Sequence, residues 1–291
     1  MTMAAAAATP GFWSWSVNVP LLLIVDLAIL YRLGDERTTT PAREKSSQRR
    51  RSLCFYASLA VLAIALSSPL DALSEQLFWA HMVQHVLLIM VAAPLMILAR
   101  PWVRLWRCLP LRARRPLGKS LARDERTAAL RWTAHGLGAP LPSLVLFSVV
   151  LLAWHVPALF DATLHSQALH ALEHTLFFGT ALMFWKQVIH SPPLRDRLAT
   201  AQRVAFVIAA MIVSWVLAIV LALAPHPLYP FYAHEAIRPG GISAMADQQI
   251  AAGVMWVPGS ITFVIVIFVY LHRWLVAAPA SARPSRLAGE H

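Results

Sequence analysis

Seven apolar runs divide the chain: Phe12–Tyr31, Ser52–Leu70, Leu77–Ala99, Pro140–Phe160, Gln167–Trp185, Val204–Ala224 and Gln248–Leu271. Each is close to the ~20 residues an α-helix needs to cross a bilayer core about 30 Å thick. The sixth run holds no charged residue, whereas the others carry a few polar ones. The pattern predicts an all-α, polytopic membrane protein with a single bundle of seven transmembrane helices over residues 12–272. An outer tail (1–11) precedes it and a cytoplasmic tail (273–291) follows. Residues 1–11 contain no Lys or Arg. The positive segment of a cleavable signal is therefore missing, and the first run is expected to stay as a span.

The connections set the orientation. Seven Lys and Arg lie between runs one and two, ten between three and four, four between five and six, and three after run seven. Of the 25 in the chain, only Arg238 falls in the alternate connections. Cytoplasmic loops carry such an excess, so the N-terminus is expected outside and the C-terminus inside. In the long basic link, residues 100–139, Trp102, Leu105, Trp106 and Leu109 recur at helical spacing. Arg100, Arg104 and Arg107 fall off that stripe. This predicts an amphipathic helix on the inner headgroups, ended by Pro116 and Gly118.

Composition agrees. The chain is 58% hydrophobic and 13% charged, against about 25% charged for a soluble protein, which excludes soluble and disordered classes. The net charge of +11 follows from topology and gives no reason to expect nucleic acid. Cys54 and Cys108 form no disulfide framework or CxxC pair.

The candidate chemistry is histidine. His135, His190, His272 and His291 fall on the inner side. His81, His85, His155, His165, His170, His174, His226 and His234 fall outside or in the outer halves of spans. At 1.5 Å per residue, His81 and His85 lie roughly 6 and 12 Å below the outer mouth, His155 roughly 8 Å, and His170 and His174 roughly 5 and 10 Å. Ionisable groups inside a membrane are costly and mark functional sites. His81-x-x-x-His85 and His170-x-x-x-His174 each place two imidazoles on one helix face, a spacing that grips a metal ion. Five rings at one depth predict one shared outer cavity, with several ring nitrogens within roughly 5 Å of one another. Asp247 is expected wet at its rim. The alternative is that these histidines bond across helices and only lock the bundle.

Imidazole suits copper, zinc, iron and nickel. The outer side holds no cysteine, while Met82, Met245 and Met255 would suit Cu(I). Haem is the competitor, with axial ligands such as His85 with His174 or His155. Two residues at i and i+4 on one helix cannot clasp opposite haem faces, which favours a bare ion. A hydrolytic site would need a base, and Glu173 is the one acid beside a histidine pair. Its simpler role is to orient an imidazole. Asp26, alone within the first run, is either a proton or ion relay or an interhelical tie.

Four stretches, SPLDAL (68–73), HMVQHVLLIMVAAPLMILARP (81–101), WHVPALFDATLHSQALHALEHTLFFGTALMFW (154–185) and DQQIAAGVMWVPGS (247–260), resemble the CtaG family. These are seven-span bacterial assembly factors for caa-type cytochrome c oxidase, and the resemblance covers roughly residues 52–272. It implies a non-enzymatic role in respiratory-chain biogenesis at the bacterial inner membrane: binding copper and aiding its delivery or insertion into an oxidase subunit. The implied partners are that subunit or a copper chaperone, and the lipid bilayer. Carried over by motif, the candidate positions are Asp71, His81, His85, Trp154, His155, Asp161, His170, His174, Asp247 and Gln248. Within these, His81, His85, His155, His170, His174 and Asp247 are expected to hold the metal. A haem-binding oxidoreductase and a metal-free scaffold are the alternatives.

Overall fold

The computed structural model describes residues 15–194, 197–235 and 238–277. The expected outer tail, the first residues of run one and most of the expected cytoplasmic tail lie outside them. The described residues are helical and contain no strand. Helix α1 (Val19–Glu36) is started by Asn18, which accepts from the Leu21 amide, and by Pro20 in its first turn. Asn18 also donates to the Leu66 carbonyl at 2.7 Å and accepts from the Ser67 hydroxyl at 2.8 Å. One cap thus ties the start of α1 to the end of α2 (Lys45–Ser67). A short α3 (Pro69–Ser74) follows.

The central rod is α4 (Phe78–Val86), a π-helical turn (Leu87–Ala92) and α5 (Ala93–Ala99). It packs against α2, α11 (Gln167–Val188) and α14 (Ala244–Ala277). The wide turn has a local cause and a local cost. Ala93 donates to Leu88, one residue further back than in an α-helix, and Pro94 has no N–H to give. The carbonyls of Ile89 and Met90 therefore lose their usual donors. Trp185 Nε1 serves Ile89 and the Thr262 hydroxyl serves Met90, both at 2.8 Å. Side chains from two other helices thus satisfy the backbone that the turn releases, as a dry interior requires.

Four helical segments are long and apolar enough to cross a membrane: Ala42–Ser67, Phe78–Ala99, Thr200–Leu223 and Ala244–Val276. Counting the pair Glu125–Leu137 and Pro140–Trp154 as one broken span, bent by 80°, makes five. Seven runs were expected, and the remaining ones are helical but differ in kind. Helix α1 carries Asp26, Arg32, Asp35 and Glu36, while α11 carries His170, Glu173, His174 and Lys186. Run four does not continue to Phe160. Helix α9 (Pro140–Trp154) stops, and α10 (Pro157–His165) starts afresh with Pro157 in its first turn. A residue before proline is driven out of the helical region, and Val156 is extended with ψ 124°. His155 therefore sits at a helix end rather than within a helix.

The basic link also departs from the expected pattern. It holds α6 (Trp102–Arg107), α7 (Leu111–Arg123) and α8 (Ala128–Leu137). Helix α7 continues through Pro116 rather than breaking there. Arg104, expected on a polar face, is 7% exposed and paired with Asp35 of α1. Gly34 makes that approach possible, because a Cβ there would lie 1.9 Å from the Arg104 carbonyl oxygen. Gly34→Ala should force α1 and α6 apart, costing about 1–3 kcal/mol and lowering the thermal unfolding midpoint in detergent. An unchanged midpoint would show that the two backbones do not touch.

Asp26, read from the sequence as a proton or ion relay or an interhelical tie, is exposed on α1. Helices α12 (Thr200–Leu223) and α13 (Pro230–Ala233) complete the order, with α12 against α14.

Candidate metal centre

Helix α4 brings His81 and His85 to one face, and α11 brings His170, Glu173 and His174. These two helices and the α9–α10 break converge. Ring centroids are 4.5 Å apart for His81–His85, 4.3 Å for His170–His174, 5.0 Å for His81–His170 and 5.4 Å for His85–His174. His155 stands 6.0 Å from His85. All five expected histidines thus meet in one place.

Ligand atoms of His81, His85, Glu173 and His174 all lie within 4.8 Å of one another. Glu173 is fully buried, with its oxygens 3.7 Å from His81 Nε2 and 3.6 Å from His85 Nε2. The sequence suggested Glu173 as a base or as an orienting partner but not as a ligand, yet the structure places it inside the group. The spacing His170-x-x-Glu173-His174 was the signal, since i and i+4 share a face with i+3.

The hydrogen bonds fix one tautomer. Tyr232 donates its only hydrogen to the Ser74 carbonyl. Its oxygen must then accept from His81 Nδ1, 3.1 Å away. The His81 Nε2 lone pair accordingly faces the group, 3.0 Å from His85 Nε2. A ring whose far nitrogen donates to a fixed partner is how proteins orient a metal-binding imidazole. Nothing in the sequence pointed to Tyr232, which lies on a four-residue helix in a connection.

Other atoms of the group lack partners. His85 Nδ1, His170 Nε2, His174 Nε2 and both Glu173 oxygens are buried without a hydrogen bond. Each such atom costs about 1–3 kcal/mol, so five in one cluster fit a site built for a cation. The cluster is also dry. Phe78 and Phe160 pack edge to face with Tyr229 tilted against both, Phe160 lies 4.9 Å from His81, and Phe177 lies 4.5 Å from His85.

Asp247 does something else. It is 1% exposed, so it is not wet at a rim. Its two oxygens accept the amides of Phe78 and Trp79, each at 2.9 Å. These are first-turn donors of α4 that have no partner within the helix. Asp247 therefore caps the helix carrying His81 and His85, and stands outside the four-residue group. Gln248 braces the connection before α13: it accepts from the Leu228 amide and donates to the Leu221 carbonyl. Trp154 ends α9 and Asp161 lies on α10, both half-buried.

Asp71, on α3 outside the spans, accepts from Gln84 at 2.9 Å. Burial pushes its carboxyl up to about 6. A raised folded-state value means that its contribution favours folding at low pH and is lost as pH rises through 6. Relative to the native protein, Asp71→Asn should therefore gain thermal stability between pH 4.5 and 7.5. A difference that does not change over that interval would remove the buried carboxyl from the account.

The fold and this buried polar cluster define a helical membrane protein with a histidine-rich interior site. Residues 29–277 match the family described as cytochrome c oxidase caa3 assembly factor, and the chain belongs to that family. Two curated relatives match at 24% identity over 230 residues, 77% of this chain: uncharacterized protein Mb0105 of Mycobacterium bovis and uncharacterized protein MT0111 of Mycobacterium tuberculosis. The match is 34% of their length, so the chain spans about a third of these relatives. No solved structure matches.

Proposed function

We propose that this protein is a non-enzymatic assembly factor that holds copper at His81, His85, Glu173 and His174 and passes it to a cytochrome c oxidase subunit. Family membership supplies the assembly role. The observation that carries the metal is the convergence of four buried ligand groups within 4.8 Å, together with their unpartnered atoms. Nitrogens bound about 2 Å from a tetrahedral ion lie roughly 3.3 Å apart, and the His81–His85 separation of 3.0 Å is close to that. His170 flanks the group and gives an incoming ion one more ligand. Copper is the assignment because the maturing oxidase takes it up. The ion is cargo, so the site must release as well as bind.

The haem alternative fits less well. Two axial imidazoles lie on opposite ring faces about 4 Å apart across the iron. The pairs that would serve haem, His85 with His174 or His155, have ring centroids 5.4 and 6.0 Å apart, Phe177 lies 4.5 Å from His85, and the adjoining cavity of about 30 Å³ does not hold a macrocycle. We assign seven membrane passages, with N-terminus outside and C-terminus inside, in a bacterial inner membrane. This rests on the Lys and Arg distribution. Helices α1 and α11 are less apolar because they carry charged residues, among them Asp26 and Arg32 on α1 and Glu173 and Lys186 on α11. Reporter fusions at Ala42 and Lys119 should read cytoplasmic, and at Ser166 and Ala244 periplasmic. The inverse pattern would put the cluster on the side away from the oxidase copper site. In cells lacking the native gene, the wild-type chain should restore copper-loaded oxidase and His81→Ala/His85→Ala should not. A Soret band in the purified protein would instead favour haem.

A further inference from the structure

Beside the cluster lies a cavity of about 30 Å³ whose lining includes Met82, Met90, Met255, His85 and His155. That is room for one ion or one or two waters, not for an organic ligand. His155 is 5% exposed and Met82 fully buried. His155 Nδ1 lies 2.7 Å from the Leu151 carbonyl. A carbonyl only accepts, so Nδ1 carries the hydrogen, and in the neutral ring Nε2 is a bare lone pair. That lone pair faces the Met82 sulfur at 3.4 Å, and a thioether is itself only a weak acceptor. Two buried electron-pair donors thus point at each other with no hydrogen between them. Either a proton or a cation reconciles them, and a protonated ring in an apolar cavity carries the full cost of a buried charge.

We propose that His155 and Met82, completed by Met255 across the cavity, form a second metal station selective for a soft monovalent ion of the Cu(I) type. Thioether sulfur is a soft ligand that selects Cu(I), and imidazole suits copper generally. With bonds of about 2.0 Å to nitrogen and 2.3 Å to sulfur, a roughly tetrahedral angle separates the two atoms by about 3.5 Å. The observed separation matches this without rearrangement. His85 lines the cavity and also belongs to the His/Glu group. Its buried, unpartnered Nδ1 makes it the residue through which one ion moves between stations. The move exchanges ligands only, with no change in oxidation state and no co-reactant. This inference rests on reading the His/Glu group as a metal site, and it gives the two stations different chemistry. The first is imidazole and carboxylate, the second imidazole and thioether.

The test uses the full chain in detergent. Zn(II) is added to fill the His/Glu group, and Ag(I), a soft ion that stays monovalent, is then titrated. The wild type should hold one zinc and one silver per chain. Met82→Leu and Met255→Leu conserve volume and should fold. They should keep the zinc and bind silver at least ten-fold more weakly. Silver bound equally by wild type and both variants, or bound only by expelling zinc, overturns the second station. Zinc bound with no silver leaves the first station standing and overturns this one. Silver bound and lost on Met82→Leu, in a protein that takes no zinc, upholds the soft station and refutes the His/Glu reading.

Discussion

His85→Ala should abolish copper loading of the oxidase while leaving the protein in the membrane at near-normal abundance. His85 is shared by every contact that matters: it faces His81 at 3.0 Å and Glu173 at 3.6 Å, and it lines the methionine cavity. Removing a residue that merely orients a metal ligand costs about 10–100-fold in affinity, so removing a ligand costs more. Oxidase copper should fall to below about a tenth of normal. Stability changes little for an identifiable reason. Truncation removes the unpartnered Nδ1, which offsets in part the lost bond to His81 Nε2 and the void it opens. His174→Ala should behave alike. His190→Ala and His272→Ala, at the other end of the bundle, should have little effect. Equal effects at all four positions would separate function from the cluster.

Asp247→Ala should fail in the opposite manner, by losing the protein. Its carboxylate accepts two amides at the start of α4. Leaving the Phe78 and Trp79 amides without their acceptor costs about 1–3 kcal/mol for each that is buried, a large share of the roughly 5–15 kcal/mol by which a domain is typically stable. Steady-state abundance should drop several-fold. Asp247→Asn retains one acceptor oxygen and should be intermediate. If Asp247→Ala accumulates normally and only loses metal, Asp247 acts as a ligand after all, as its sequence motif had suggested.

The contrast between these residues shows what the sequence could and could not reveal. Helical periodicity and the cost of polar groups in hydrocarbon pointed to His81, His85, His155, His170 and His174, because only a shared interior makes five buried imidazoles tolerable. The same argument could not distinguish Asp247 as ligand from Asp247 as cap. Both put a carboxylate near the end of a helix, and only the partner, 169 positions away, decides. Glu173 was visible through its spacing but was undervalued, since an acid beside a histidine also suits an orienting role. Tyr232 gave no signal, being a lone aromatic in a connection. The break at His155 was written in Pro157, yet an apolar run masks a proline when only hydropathy is followed. The number of apolar helices is the mirror of that problem. His170, Glu173 and His174 lower the apolarity of α11, where the apolar run led us to expect a span.

Metal content per chain is the measurement closest to the central claim. The protein is purified in detergent, exposed to one equivalent of Cu(II), freed of unbound metal and analysed beside a variant in which His81, His85, Glu173 and His174 are changed to Ala, Ala, Gln and Ala. The account predicts close to one copper per wild-type chain and none retained by the variant, with both proteins folded by circular dichroism. Copper retained equally by the two, or by neither, would contradict it.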